Sequence, residues 1–138
     1  MKSLVKISLF VVFFLALAGI LIALYLFNMQ HKDLQKVKPA FIISAVDLQK
    51  AFGENETSAA STYVNKVLEV TGTIESVKTG ENNVLSIVLK TGSDLSTVIC
   101  TFPPETDPAK FTPGNQITVR GECSGFLMDV LLNNCVTL

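Results

Sequence analysis

A chain of 138 residues, 49% of them hydrophobic and with a net charge of −1, has room for one domain and its appendages. The charge is unevenly spread: residues 1–39 hold Lys2, Lys6, Lys32, Lys36 and Lys38 against Asp33, whereas residues 40–138 hold six cations against eleven carboxylates. That −5 lacks the basic footprint of a nucleic-acid binder, and with no CxxC pair and His31 as the lone histidine a zinc site lacks ligands.

Ile7 to Phe27, ISLFVVFFLALAGILIALYLF, runs 21 residues without a charge. At about 1.5 Å per residue a helix of this length crosses the hydrocarbon core of a bilayer. Ala16-Leu17-Ala18 has the small residues of a cleavage motif, but apolar residues follow it directly, so an uncleaved anchor is expected. No cysteine lies in the run or directly after it, which excludes anchoring by cysteine acylation. The predicted organisation is a tail over 1–6, a transmembrane signal anchor over 7–27, a linker over 28–41 and a domain over 42–138. The basic residues flanking the anchor are nearly balanced. The short tail and the three cysteines point to a domain outside the cytoplasm, in the periplasm; a cytoplasmic domain with free thiols is the alternative.

Asn28 to Pro39 is polar and reads as a stalk. Ser44-Ala45-Val46-Asp47 fits a capping box, and Ala45, Leu48, Ala51 and Phe52 follow at helical spacing. Gly53 ends or interrupts this helix, and Glu54–Thr62 can extend it with Ala59 and Ala60 facing inward. Such a helix plugs one end of a barrel; neither Glu54 nor Glu56 is given a catalytic role.

From Leu68 the chain alternates. Leu68, Val70 and Ile74 point one way, while Glu69, Thr71, Thr73 and Glu75 point the other. Gly72 falls on the apolar phase, where a strand bends or another group comes close. Val77 breaks the alternation, which predicts a bulge near Ser76. Further strands are expected over Val84–Lys90, Leu95–Phe102, Gln116–Cys123 and Asp129–Leu138. Pro103-Pro104 opens a proline-rich connector with a short helical turn around Ala109, and Gly121 repeats the inward glycine. Ile117 and Val119 are expected inside, with Thr118, Arg120 and Glu122 outside. Three strands, a connector and a final hairpin predict a mainly β, five-stranded Greek-key barrel, the OB-fold, with an N-terminal helix and one preceding transmembrane helix.

The run Asn55-Glu56, Ala59, Tyr63, Lys66, Val70-Thr71-Gly72, then Cys100 with Phe102, resembles the bacterial tRNA_anti-like family of OB-fold domains. So does GNQITVRGECSGFLMDVLLNNC, with Gly114, Val119, Gly121, Cys123, Gly125, Asp129, Val130, Leu132 and Cys135. The likeness spans about residues 42–138. It implies a single-domain envelope protein or membrane-anchored module, and the family's name records similarity to anticodon-binding domains.

OB-folds that hold single strands use a basic face with aromatic platforms. Here the outward phases are Val84, Ser86, Val88 and Lys90, then Thr97, Ile99 and Thr101, which makes nucleic acid an unlikely partner. Val84, Val88 and Ile99 suit an apolar patch for a protein, or lie under the N-terminal helix. Cys123 has no histidine to activate it, no glycine loop cradles a phosphate and the carboxylates are scattered, so no catalytic, metal or cofactor residues are expected. Tyr63 and Lys66 form a possible ligand rim, against packing of Tyr63 on the barrel end with Lys66 solvated. Asp129 is expected to serve its own turn. Cys100, Cys123 and Cys135 permit one disulfide, Cys100–Cys135 or Cys123–Cys135, and alternation turns Cys135 outward unless a bulge intervenes near Asn133-Asn134. The resulting expectation is a non-enzymatic, membrane-anchored binding module of the cell envelope taking an envelope protein or a small ligand; the alternative is a single-stranded nucleic-acid binder.

Overall fold

The computed structural model describes residues 1–28 and 33–138, which fall into two compact units, 1–32 and 33–138. His31, the lone histidine, and Lys32, counted above among the cations of residues 1–39, lie outside the described residues. The first unit holds α1 (Lys2–Asn28), a helix long and apolar enough to cross a membrane, with none of its apolar window buried.

The second unit holds β1 (Phe41–Ser44), α2 (Ala45–Glu54), α3 (Glu56–Tyr63) and β2 (Val67–Thr79). It continues with β3 (Leu85–Leu89), β4 (Val98–Phe102), β5 (Gln116–Leu127) and β6 (Asp129–Thr137). Strand order β2-β3-β4-β6-β5 closes through antiparallel pairing of β5 with β2, giving the five-stranded OB barrel. Strand β4 pairs with β6 in parallel, and the other ladders of the barrel are antiparallel. The core is the inward phase of every strand: Leu68, Val70 and Ile74 from β2, Leu85, Ile87 and Leu89 from β3, and Val119 and Cys123 from β5.

Strand β2 serves two ladders because it bends midway. Val67–Thr73 pair with β5 and Ile74–Thr79 with β3, with a register shift between Ile74 and Ser76 that leaves Glu75 as the extra residue. Gly72 lies at the bend. A Cβ there would stand 2.9 Å from the Ala45 Cβ, so the missing side chain lets α2 seat on the barrel. Gly121 faces inward too, and a Cβ on it would stand 2.5 Å from the Cys135 Sγ.

Helix α2 begins at Ser44, whose Oγ accepts from the Asp47 backbone N–H at 3.0 Å and donates to the Asp47 carboxylate at 2.7 Å. It buries Ala45, Leu48 and Phe52 and packs on β1, β2 and β6 at the barrel end. The helix passes through Gly53 and breaks at Asn55. Asn55 leaves the helical region and caps α3 by accepting from Ser58 N–H at 3.0 Å. Ala59 is buried and Ala60 half-buried, both turned inward as the sequence led one to expect.

The stretch read as a stalk behaves differently from residue 33 onward. Leu34 is 1% exposed, and Phe41–Ser44 forms a strand parallel to Leu68–Thr71. Arg120, expected to face water, is what holds this stretch. Its Nη1 donates to the carbonyls of Leu34 (3.3 Å), Gln35 (2.8 Å) and Val37 (3.0 Å), and its Nη2 donates to Glu69 Oε2 at 2.7 Å. The outward face of β2 and β5 around Glu69 and Arg120 is thus covered by the chain's own N-terminal strap.

Candidate functional site

An open face lies on the outer side of β2, β3 and β4, where a groove of about 450 Å³ runs beside the β3–β4 loop. Val88 and Ile99 pair across the two strands and form its floor. Helix α2 does not cover them, which corrects the expectation that they lie beneath it: the missing side chain at Gly72 lets the helix seat at the barrel end, against β1, β2 and β6. Val88 is instead 8% exposed because the loop folds back beside it, with Leu95, Ser96 and Thr97 along one wall and Ser76 and Lys78 along the other.

The loop is tied by hydrogen bonds from two directions. Thr91 Oγ1 donates to the Ser96 carbonyl. Asp129 Oδ1 accepts from the Thr97 backbone N–H at 2.6 Å and from its hydroxyl at 2.9 Å. Asp129 therefore clasps the β3–β4 loop to the β5–β6 hairpin instead of bonding within its own turn. The reason is distance along the sheet: β4 and β6 are neighbours, so the loop entering β4 meets the turn entering β6.

The groove is acidic. Glu75, Asp94 and Asp129 line it against Lys78, and neither Glu75 nor Asp94 has an ion-pair partner among the described residues. No aromatic ring lines it. Four rings of the domain instead close one barrel end: Phe41 sits edge-on to Tyr63 at 5.2 Å, Tyr63 meets Phe52 at 6.1 Å, and Phe52 stacks on Phe126 at 5.5 Å. Phe102 and Phe111 pack together at 5.3 Å. Tyr63 and Lys66 are brought together around Phe41, with Lys66 Nζ 5.4 Å from the Phe41 ring centre, but they do not reach the groove.

All three thiols are free and buried. Asn134 takes a positive φ of 53°, which reverses the alternation of β6 and turns Cys135 into the core after Asn133 and Asn134 have faced out. There it joins Cys100 in the core, and its Sγ donates to the Leu132 carbonyl at 3.4 Å. Burial, reinforced by the neighbouring Cys100, pushes the Cys135 thiol well above its ordinary range. Burial also raises Cys123, opposed by a backbone hydrogen bond at Gly125. These groups are held neutral and are shielded from water, the reverse of an activated nucleophile.

The sequence pattern missed the role of Arg120, whose partners lie more than 50 residues away. It also missed the exposed apolar residues Leu95 and Met128, which stand in turns where polar residues are usual, and Leu127, which ends β5 beside Met128. Apolar residues at turn positions were the available signal.

The model of the tRNA_anti-like family matches residues 1–136. The chain belongs to the tRNA_anti-like family. The barrel of this family member is similar to a solved lipoprotein from Klebsiella pneumoniae subsp. pneumoniae MGH 78578, whose nucleic-acid binding is a provisional assignment. The TM-score is 0.56 at 18% identity, covering 79% of this chain and 99% of that one. The S. pombe Stn1-ten1 complex matches with a TM-score of 0.41 at 19% identity, over 52% of this chain and 57% of the other. An Entamoeba histolytica asparaginyl-tRNA synthetase matches with a TM-score of 0.46 at 10% identity, over 73% of this chain and 24% of the enzyme. No curated protein matches the sequence.

Proposed function

We propose that this tRNA_anti-like protein is a non-enzymatic binding module, held in the cell membrane by α1 with its OB domain outside the cytoplasm, and that its groove takes a protein partner. The observation that carries this reading is the groove itself. An apolar floor of Val88 and Ile99 under a rim of Glu75, Asp94 and Asp129 suits a partly apolar, cationic protein surface. The same rim repels phosphate, and stacked bases would find no ring there. Tyr63 and Lys66, set apart from the groove, serve to close the barrel end.

A second reading has one observation in its favour: the similar Klebsiella lipoprotein carries a nucleic-acid-binding description. The two separate in a direct assay. The full chain in neutral-lipid nanodiscs is titrated with short single-stranded DNA and RNA at low salt, and a photo-cross-linking residue is placed at Ser76 in the native membrane. The protein reading expects cross-linked protein adducts at Ser76 and no salt-sensitive oligonucleotide binding. Tight oligonucleotide binding that weakens with salt and with Lys78→Ala would overturn it.

Placement outside the cytoplasm has its own consequence for the thiols. Cys100 and Cys135 would join during folding by exchange with a protein disulfide: two thiols lose two protons and two electrons, and the donor disulfide is reduced to a dithiol. Alkylation and mass measurement of protein taken directly from membranes reads this. All three cysteines alkylated without reductant would place the domain in a reducing compartment.

A further inference from the structure

Leu95, Leu127 and Met128 are 87%, 78% and 77% exposed, more than any other large apolar side chain of residues 33–138. They come from two loops far apart in sequence. The clasp of Asp129 on Thr97, with Val130 N–H donating to the Thr97 carbonyl at 3.0 Å, brings those loops together, and each of the three residues stands within two positions of it. Met128 adopts φ 66°, a left-handed conformation at a hairpin turn where glycine or asparagine is the usual choice. At Met128 a large apolar side chain is therefore presented to water at a position where a small polar residue would be less strained and better solvated.

We infer that Leu95, Leu127 and Met128 form the apolar anchor of the partner site, and that the partner presents an amphipathic segment whose apolar residues meet these tips and whose cationic residues meet Asp94, Asp129 and Glu75. This deepens the protein-partner reading and rests on it. Charge decides the occupant. Leu95, Asp94 and Asp129 line one groove, so the first tip and the acidic rim form one surface, and Leu127 and Met128 directly precede Asp129 at its edge. Carboxylates beside the tips disfavour an anionic lipid surface for the same electrostatic reason that they disfavour a polynucleotide. A basic, apolar polypeptide segment satisfies both parts at once.

The test uses the full chain in neutral-lipid nanodiscs and three synthetic peptides of equal length, read by fluorescence anisotropy. One alternates lysine and leucine, one glutamate and leucine, and one lysine and serine. The lysine–leucine peptide binds, and the other two bind about tenfold more weakly or worse. Leu127→Ser and Met128→Ser each weaken it by about tenfold, the value of one buried apolar side chain, while hydrogen exchange in β4 and β6 stays as in the parent. Equal binding of the lysine–serine peptide, unchanged binding by both tip variants, or no binding of the lysine–leucine peptide overturns the anchor. The Ser76 cross-link then reports separately whether the groove still takes a protein. Protection of the tip amides in nanodiscs that is lost in detergent, with no effect of the variants on peptide binding, would assign the tips to lipid and overturn it too.

Discussion

Two carboxylates on β2 meet opposite fates. Glu69 lies in the half of the strand paired with β5 and is held by Arg120 at 2.7 Å, both side chains less than one-fifth exposed. Glu75 lies at the bulge that begins the half paired with β3, stands in water and lines the groove without a cation of its own. On the first side charge is used to hold the fold together, since Arg120 also gathers three carbonyls of the strap. On the second it is left for something outside the molecule. An ion pair satisfied internally is a structural device, and an unpaired acidic rim over an apolar floor is a candidate for recognition.

The largest effect should come from the satisfied side. Arg120→Ala strands Glu69 without its counter-charge and frees the strap, and should cost about 3–5 kcal/mol in urea titration of the full chain in detergent. Amides of residues 33–44 should lose protection first, and Arg120→Lys should rescue little because one ammonium cannot replace a planar fork with several donors. A loss below about 1 kcal/mol would mean the pair behaves as a solvated surface bridge.

Next is the glycine under the same strand pair. Gly121→Ala puts a methyl 2.5 Å from the Cys135 Sγ and 3.3 Å from both the Asn133 carbonyl oxygen and the Leu132 Cβ, and should cost about 1–3 kcal/mol. Cys135→Ala in the same chain should recover part of that loss; strict additivity of the two substitutions would show that the sulfur is not the obstacle.

The buried thiols give a smaller effect that depends on pH. The folded chain holds the Cys135 proton, through burial aided by Cys100, beyond the point where the unfolded chain releases it. Above the ordinary thiol pKa of about 8.5 the unfolded state binds fewer protons than the folded one, so stability falls as pH rises. Below that value the contribution is fully present. Cys135→Ala in reduced protein should flatten the alkaline slope.

Smallest of all is Glu75→Gln, which should leave stability within about 0.5 kcal/mol. If it costs as much as the loss of Glu69, the contrast between the two halves of β2 fails.

Much of the barrel was legible because its signals are local. Leu68, Val70 and Ile74 mark an inward face by spacing alone, Val77 out of phase announces the bulge, and Ser44 with Asp47 marks where α2 starts. The candidate site was half legible. Val88 and Ile99 stood out as apolar residues on an outward phase, but their exposure depended on where α2 went. The strand Phe41–Ser44 escaped notice because a parallel partner more than 20 residues away sets it, and four residues carry no period of their own. Cys135 was placed correctly only with the kink at Asn134, a left-handed residue that spacing cannot reveal.

The amino-acid sequence by itself determined a long apolar helix, the alternating strands and the two inward glycines, because steric and hydrophobic preferences act between near neighbours along the chain. Only the tertiary structure decided which charges are neutralised, where the strap docks and which apolar tips converge beside the acidic groove. Those outcomes depend on residues remote in sequence meeting in space, and the closure of β5 onto β2 and of β6 beside β4 is what makes them meet.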